Sequence, residues 1–237
     1  MRRSLVLFAK SPRLGTVKTR LQTHLTPDQC LRLHEELIAR TVETTQEIHL
    51  EGLEKAILFT GGLDEAFRHA GRLGIPSEFH VGVQFGTDLG SRMSHAIAGQ
   101  FDAGFVQVVL IGVDCPLLSA NDLLRAFEEL AQNDVVIGPA HDGGYYLVGL
   151  SVCVTAIFDR IDWGSAQVYQ QTIEALRRLD LKWSSLSPRS DLDTVEDLTD
   201  IWKALKQDRE LASSQASRKL LDLFHEFLPE FPTGSNL

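Results

Sequence analysis

The stretch Val106-Gln107-Val108-Val109-Leu110-Ile111-Gly112-Val113-Asp114-Cys115-Pro116 decides the fold class. Four β-branched residues ahead of Gly112 favour a strand. Apolar character at nearly every position is what a parallel strand needs when both of its faces are covered. An aspartate directly after such a run stands at the carboxyl edge of the sheet, where open α/β folds bind their ligands.

Short apolar runs alternate with helical patterns on both sides of this stretch. The pattern predicts further strands at residues 4–9, 55–60, 78–83, 134–138, 145–150 and 182–186. Between and after them it predicts helices ending near residues 48, 73, 101, 132, 179 and 206. Two helices announce their starts. Thr26-Pro27-Asp28-Gln29 and Ser119-Ala120-Asn121-Asp122 each place a hydroxyl cap three residues before a side chain that can reach back. Strands alternating with helices imply a three-layer α/β/α sandwich with a mainly parallel sheet. Without an internal repeat or a flexible linker, residues 1–206 read as one domain and 207–237 as a C-terminal helical extension and tail. Phe224, Phe227 and Phe231 in that tail read as core packing.

The 237 residues are 43% hydrophobic and 23% charged, with a net charge of −9. That composition excludes disordered, collagenous and disulfide-scaffold classes. The charge is unevenly placed. Residues 1–27 hold six Lys or Arg and no acid, whereas the rest of the chain holds 17 basic against 32 acidic side chains. An acidic surface argues against nucleic acid as a partner, while one basic segment suits a small anion. The apolar run after Met1-Arg2-Arg3 is too short for a secretory signal, and no run reaches the roughly 18 residues of a membrane span. Cys30, Cys115 and Cys153 lack metal-type spacing and imply reduced thiols in a cytoplasm. A homo-oligomer stays open.

Five segments can carry chemistry. The loop Lys10-Ser11-Pro12-Arg13-Leu14-Gly15-Thr16-Val17-Lys18-Thr19-Arg20 follows the first strand. There Lys10, Arg13, Lys18 and Arg20 can neutralise phosphates, and Gly15 lets backbone N–H groups approach. It is not a P-loop, because no second glycine precedes Lys18. Asp114, beside bound phosphates, is a ligand for Mg²⁺ or Mn²⁺, or else an ordinary turn or cap residue. In Asp191-Leu192-Asp193-Thr194-Val195-Glu196-Asp197-Leu198, Asp193-Thr194 is either a helix cap or the place where an aspartate reaches the same ion. Gly138-Pro139-Ala140-His141-Asp142-Gly143-Gly144-Tyr145-Tyr146 is a tight turn that can offer Asp142 to a ligand, or a plain hairpin. Gln84-Phe85-Gly86-Thr87-Asp88-Leu89-Gly90-Ser91-Arg92-Met93 precedes a helix, with Arg92 as an anion contact or a surface ion pair. The eight histidines show no metal spacing, and no Gly-x-Ser-x-Gly elbow exists.

The order of these motifs resembles the GT-A, or nucleotide-diphospho-sugar transferase, superfamily. It is most similar to a bacterial family labelled as glycosyltransferases associated with radical-SAM and selenium genes. The pattern F-A-K-x-P-x-x-G-x-x-K-T-R-L falls on Phe8 to Leu21, and Q-x-G-x-D-L-G-x-R-M on Gln84 to Met93. Trp163-Gly164-Ser165 stands where that family has W-G/S-T. The K-T-R-L element and D-x-D-T-x-E-D-L also resemble phospholactate guanylyltransferases and other nucleotidyltransferases. The chain keeps one acid, Asp114, of the D-x-D glycosyltransferase signature.

The resemblance implies a metal-dependent transferase with a nucleotide across the carboxyl edge of the sheet. Lys18 and Arg20 would contact its phosphates in catalysis, with Lys10, Arg13, Gly15 and Arg92 helping to bind it. Asp114 and Asp193 would hold Mg²⁺ or Mn²⁺, and Asp142 would orient sugar or acceptor. Glycosyl transfer from a nucleotide sugar is the leading expectation. Nucleotidyl transfer to a phosphorylated acceptor with pyrophosphate release is the alternative, and a non-catalytic nucleotide- or partner-binding module is a third.

Overall fold

Strand β1 (Arg3–Ala9) runs through the middle of the molecule, paired in parallel with β2 (Leu53–Phe59) and β4 (Gln107–Gly112). Strand β3 (Phe79–Val83) extends the sheet beyond β2, and β6 (Tyr145–Leu150), β5 (Val135–Pro139) and β7 (Trp183–Ser185) extend it beyond β4, giving the order β3-β2-β1-β4-β6-β5-β7. Among the described strands β6 alone is antiparallel to its neighbours. The computed structural model describes residues 1–207 and 214–227.

The two-residue period of a strand sends alternate side chains to opposite faces, so an unbroken apolar run can fill two cores. Leu5, Leu7, Val109 and Ile111 enter a core shared with α1 (Pro27–Gln46), α2 (Leu63–Leu73) and α4 (Ala120–Glu129). Val6, Phe8, Val108 and Leu110 enter a second core, shared with α3 (Leu89–Asp102), a 3-10 helix (Thr155–Phe158) and α5 (Val168–Arg178). This is the expected α/β/α sandwich. A third cluster lies outside it, where α1 meets α6 (Val195–Gln207) and α7 (Gln215–Phe227). Phe224 and Phe227 are buried there, as their stripe predicted. Phe231 lies outside the described residues, as do residues 208–213 and 228–237 of the C-terminal extension.

Both predicted caps form. The Thr26 and Ser119 side chains accept the backbone N–H groups of Gln29 and Asp122, and each partner side chain reaches back. The short 3-10 helices at Thr19–Thr23 and Thr155–Phe158 were not predicted.

Topology positions the site. Strands β1, β4, β5 and β7 all point the same way, so the segments that follow them emerge at one edge of the sheet. Those segments carry Lys10 to Arg20, Asp114, Asp142, and Asp191 with Asp193. No helix among the described residues is long and apolar enough to cross a membrane.

Candidate active site

Lys18 is the hub of this edge. It precedes the 3-10 helix in a left-handed conformation, φ 48° and ψ 41°, uncommon for a side chain with a Cβ. Its side chain is 3% exposed, and Nζ lies 2.6 Å from Asp114 Oδ1 and 3.5 Å from Asp193 Oδ1. Nζ also donates to the Leu192 carbonyl. Three acceptors match the three N–H groups of an ammonium. Burial opposes the charge on Lys18, but Asp114 and Asp193 outweigh it and raise the pKa above the ordinary lysine value. Asp114 responds in kind: burial works against its ionisation, yet Lys18 and then His34 hold its carboxyl below the usual range.

The two aspartates are free for this role because neighbours do the capping. Ser119 caps α4, and Thr194 exchanges hydrogen bonds with Asp197 at the start of α6. That leaves the Asp193 carboxylate to face Lys18 and Arg20, whose Nη1 lies 3.5 Å from Asp193 Oδ2. The backbone ties the two halves together, since Leu192 N–H donates to the Asp114 carbonyl at 2.8 Å.

His34, absent from the sequence expectations, and Asp191, left open there, complete the cluster. His34, from α1, donates through Nε2 to the Lys10 carbonyl at 3.0 Å, which assigns the Nε2–H tautomer. Burial pushes its pKa down while Asp114 works the other way, and Nδ1, buried without a hydrogen-bond partner, lies 3.9 Å from Asp114 Oδ1. Only a polar residue on an apolar helix face hinted at it. Asp191, which the sequence left open beside Asp193 and Asp142 as the second ligand of the ion, is pushed up to about 7 by burial, with Asp114 and Asp142 adding repulsion.

The cleft has two lobes that share Arg20 and Asp193. The first, about 320 Å³, is lined by Lys10, Lys18, Thr19, His34 and Asp114 besides the shared pair. The second, about 430 Å³, adds Asp142 and Asp191 to an apolar wall of Leu89, Tyr145, Trp163 and Val168. Asp142 Oδ1 accepts the Gly144 N–H at 2.9 Å, so the hairpin reading and the pocket position are both present.

Other expected site residues lie apart from these lobes. Arg13 is held by both carboxylate oxygens of Glu65, which sits on α2. Gly15 adopts φ +77° with open space around it. Arg92 donates through Nε to the Gly86 carbonyl at 3.1 Å. Arg2 and Arg3 bind Glu54 and Gln107 at the far end of β1. Of the six cations before Pro27, Lys10, Lys18 and Arg20 reach the cleft.

The arrangement fits a divalent cation. A single positive charge, the Lys18 ammonium, already spans Asp114 and Asp193, and both offer the hard oxygen donors that Mg²⁺ and Mn²⁺ prefer. No group of three or more metal-type side chains converges among the described residues, so phosphate oxygens and water would fill the remaining positions.

Residues 43–165 match a family described as an uncharacterized protein conserved in bacteria, DUF2064. No curated protein sequence matches the chain. A crystal structure from Desulfovibrio desulfuricans G20, that of a candidate nucleotide-diphospho-sugar transferase, is 32% identical over 96% of this chain and 99% of its own, with a TM-score of 0.85. The 4-diphosphocytidyl-2C-methyl-D-erythritol synthase of Anaerococcus prevotii is 12% identical over 87% of this chain and 99% of its own, with a TM-score of 0.58. Glucosyl-3-phosphoglycerate synthase of Mycobacterium tuberculosis, solved with Mn²⁺, UDP and glucosyl-3-phosphoglycerate, is 14% identical over 100% of this chain and 83% of its own, at a TM-score of 0.51. The last two likenesses are of fold alone. With its seven-stranded GT-A-like sheet, this chain belongs to the DUF2064 family.

Proposed function

We propose that the protein is a glycosyltransferase that uses a nucleotide sugar as donor with the help of Mg²⁺ or Mn²⁺. The observation that carries this is the buried Lys18 ammonium spanning Asp114 and Asp193, with Lys10 and Arg20 beside it. The 32% identical relative, a candidate nucleotide-diphospho-sugar transferase, favours glycosyl over nucleotidyl transfer. Three free cysteines accord with a reducing cytoplasm, and the extension after residue 206 is read as an accessory element.

On this reading Lys18, Lys10 and Arg20 hold the diphosphate and stabilise the negative charge that grows on it as the glycosyl bond breaks. Asp114 and Asp193 would hold the divalent ion, with His34 Nδ1 in reach of Asp114. When bound, the ion supplies charge neutralisation at the departing phosphates. Asp142 and Asp191 accept hydrogen bonds from the ligand in the second lobe and orient it.

The test is product identity. The protein is incubated with Mn²⁺, a panel of nucleoside triphosphates and nucleotide sugars, and a mixture of acceptors. Release of a nucleoside diphosphate, abolished by chelator and by Asp114→Asn, is the expected result. Pyrophosphate release instead would mark nucleotidyl transfer, and neither product would favour a binding module.

A further inference from the structure

The two lobes of the cleft differ in charge. The first sets Lys10, Lys18 and Arg20 against Asp114 and Asp193. The second sets Asp142, Asp191 and Asp193 against Arg20 alone, and that guanidinium already faces Asp193 at 3.5 Å. A second phosphate placed there meets the Asp142 and Asp193 carboxylates with Asp191 beside them, and like charges brought together this way cost several kcal/mol. Carboxylates in a pocket are good acceptors for paired hydroxyl groups.

Leu89, Tyr145, Trp163 and Val168 give the lobe an apolar wall. Trp163 is wedged between three neighbours. A Cβ added at Gly90 would stand 2.3 Å from its Nε1, showing how closely α3 abuts the indole. The rings of Tyr145 and Phe158 lie 6.2 and 6.3 Å from it, centroid to centroid. An indole fixed this way is a platform for a flat ligand face. The lobe's volume of about 430 Å³ falls in the range of small-ligand sites, about 300–1,000 Å³.

We propose that the second lobe binds an unphosphorylated pyranose ring, its C–H face on Trp163 and its hydroxyls on Asp142 and Asp191. This rests on the transferase reading and narrows it, because it disfavours a phosphorylated acceptor in that lobe. The ring belongs either to the donor sugar or to the acceptor.

The experiment uses the full chain labelled with ¹⁵N. The three tryptophan indole N–H signals separate, and Trp163→Phe identifies one of them by its loss. Methyl gluco-, galacto- and mannopyranosides are titrated, alongside the corresponding hexose 6-phosphates, with chelator and with Mn²⁺. At least one methyl pyranoside is expected to shift the Trp163 signal and to bind about tenfold more tightly than its phosphate ester. By ligand-observed saturation transfer, Trp163→Ala should weaken that binding about tenfold, and Trp163→Phe, which keeps a ring, much less. Nucleotide sugars then separate the sources: competition with the pyranoside assigns the ring to the donor, and joint binding assigns it to the acceptor. A hexose phosphate that shifts Trp163 as strongly as its pyranoside, or three pyranosides that leave it unmoved, overturns the proposal. Calorimetry with nucleoside diphosphates and Mn²⁺ tests the first lobe separately, so silence there with pyranoside binding intact sinks the transferase reading and not this one.

Discussion

On the proposed function, the Lys18 ammonium, which spans Asp114 and Asp193, would compete with the metal ion for them as well as bind phosphate. Removing one partner of a buried ion pair typically costs about 3–5 kcal/mol, less where the partner is partly solvated, as Asp114 is. In chelator, Lys18→Met should therefore lose about 2–3 kcal/mol of unfolding free energy. Mn²⁺ should restore more stability to the variant than to the wild type, because the ammonium then no longer contests the two carboxylates. Equal Mn²⁺ shifts in a denaturant titration would show that the ammonium does not stand in the ion's place. Asp191 gives a pH-dependent counterpart. Its folded pKa of about 7 lies above the unfolded value of about 3.9, so the folded chain binds the extra proton between them. Stability from this group is present at low pH and lost as pH rises through 7. In chelator, Asp191→Asn should gain about 2–3 kcal/mol on the wild type between about pH 5 and pH 8. Parallel stability curves would refute the shifted carboxyl.

The β5–β6 turn shows what an element must satisfy to present one side chain. Gly143 adopts φ +91°, and a Cβ there would meet the Ala166 carbonyl oxygen at 2.2 Å. Its own carbonyl accepts the Tyr169 N–H at 2.8 Å, which locks the turn onto the start of α5. Gly143→Ala should cost about 2 kcal/mol in thermal unfolding and pull Asp142 from the second lobe, while Gly144→Ala should cost less. A Gly143→Ala variant as stable as the wild type would mean that the turn has room the structure denies. Much of this was legible in the sequence. The unbroken apolar runs at β1 and β4, the two capping boxes and the Asp142-Gly143-Gly144 turn fixed elements whose signals are local. What was hidden was hidden by distance along the chain. Arg13 looks like a phosphate ligand until Glu65, 52 residues away, binds its Nε and Nη2 with both carboxylate oxygens. His34 carries no signal within α1 that points to Asp114. Gly90 looks like a helix-start residue, and only the fold shows that Trp163 fills the space its missing side chain leaves.

At the scale of the whole molecule, the third hydrophobic cluster joins the site to the C-terminal helices. Leu21 follows Arg20, and Leu192 separates Asp191 from Asp193; both are fully buried in the cluster that also takes Phe224 of α7. The charged groups at the carboxyl edge are thus pinned from behind by apolar neighbours in the chain, a means of fixing carboxylates that repel one another. Two truncations separate the local pin from the global clamp. Leu192→Ala and Phe224→Ala each empty part of one core and should each cost about 3 kcal/mol of unfolding free energy. Leu192 holds the backbone whose carbonyl binds Lys18 and whose N–H binds the Asp114 carbonyl. Its loss should also weaken Mn²⁺ binding about tenfold by calorimetry, whereas Phe224→Ala should leave that affinity within about twofold, since among the described residues α7 packs chiefly on α1 and α6. If both variants lose Mn²⁺ affinity equally, α7 holds the site in order, and the C-terminal extension becomes part of the binding machinery.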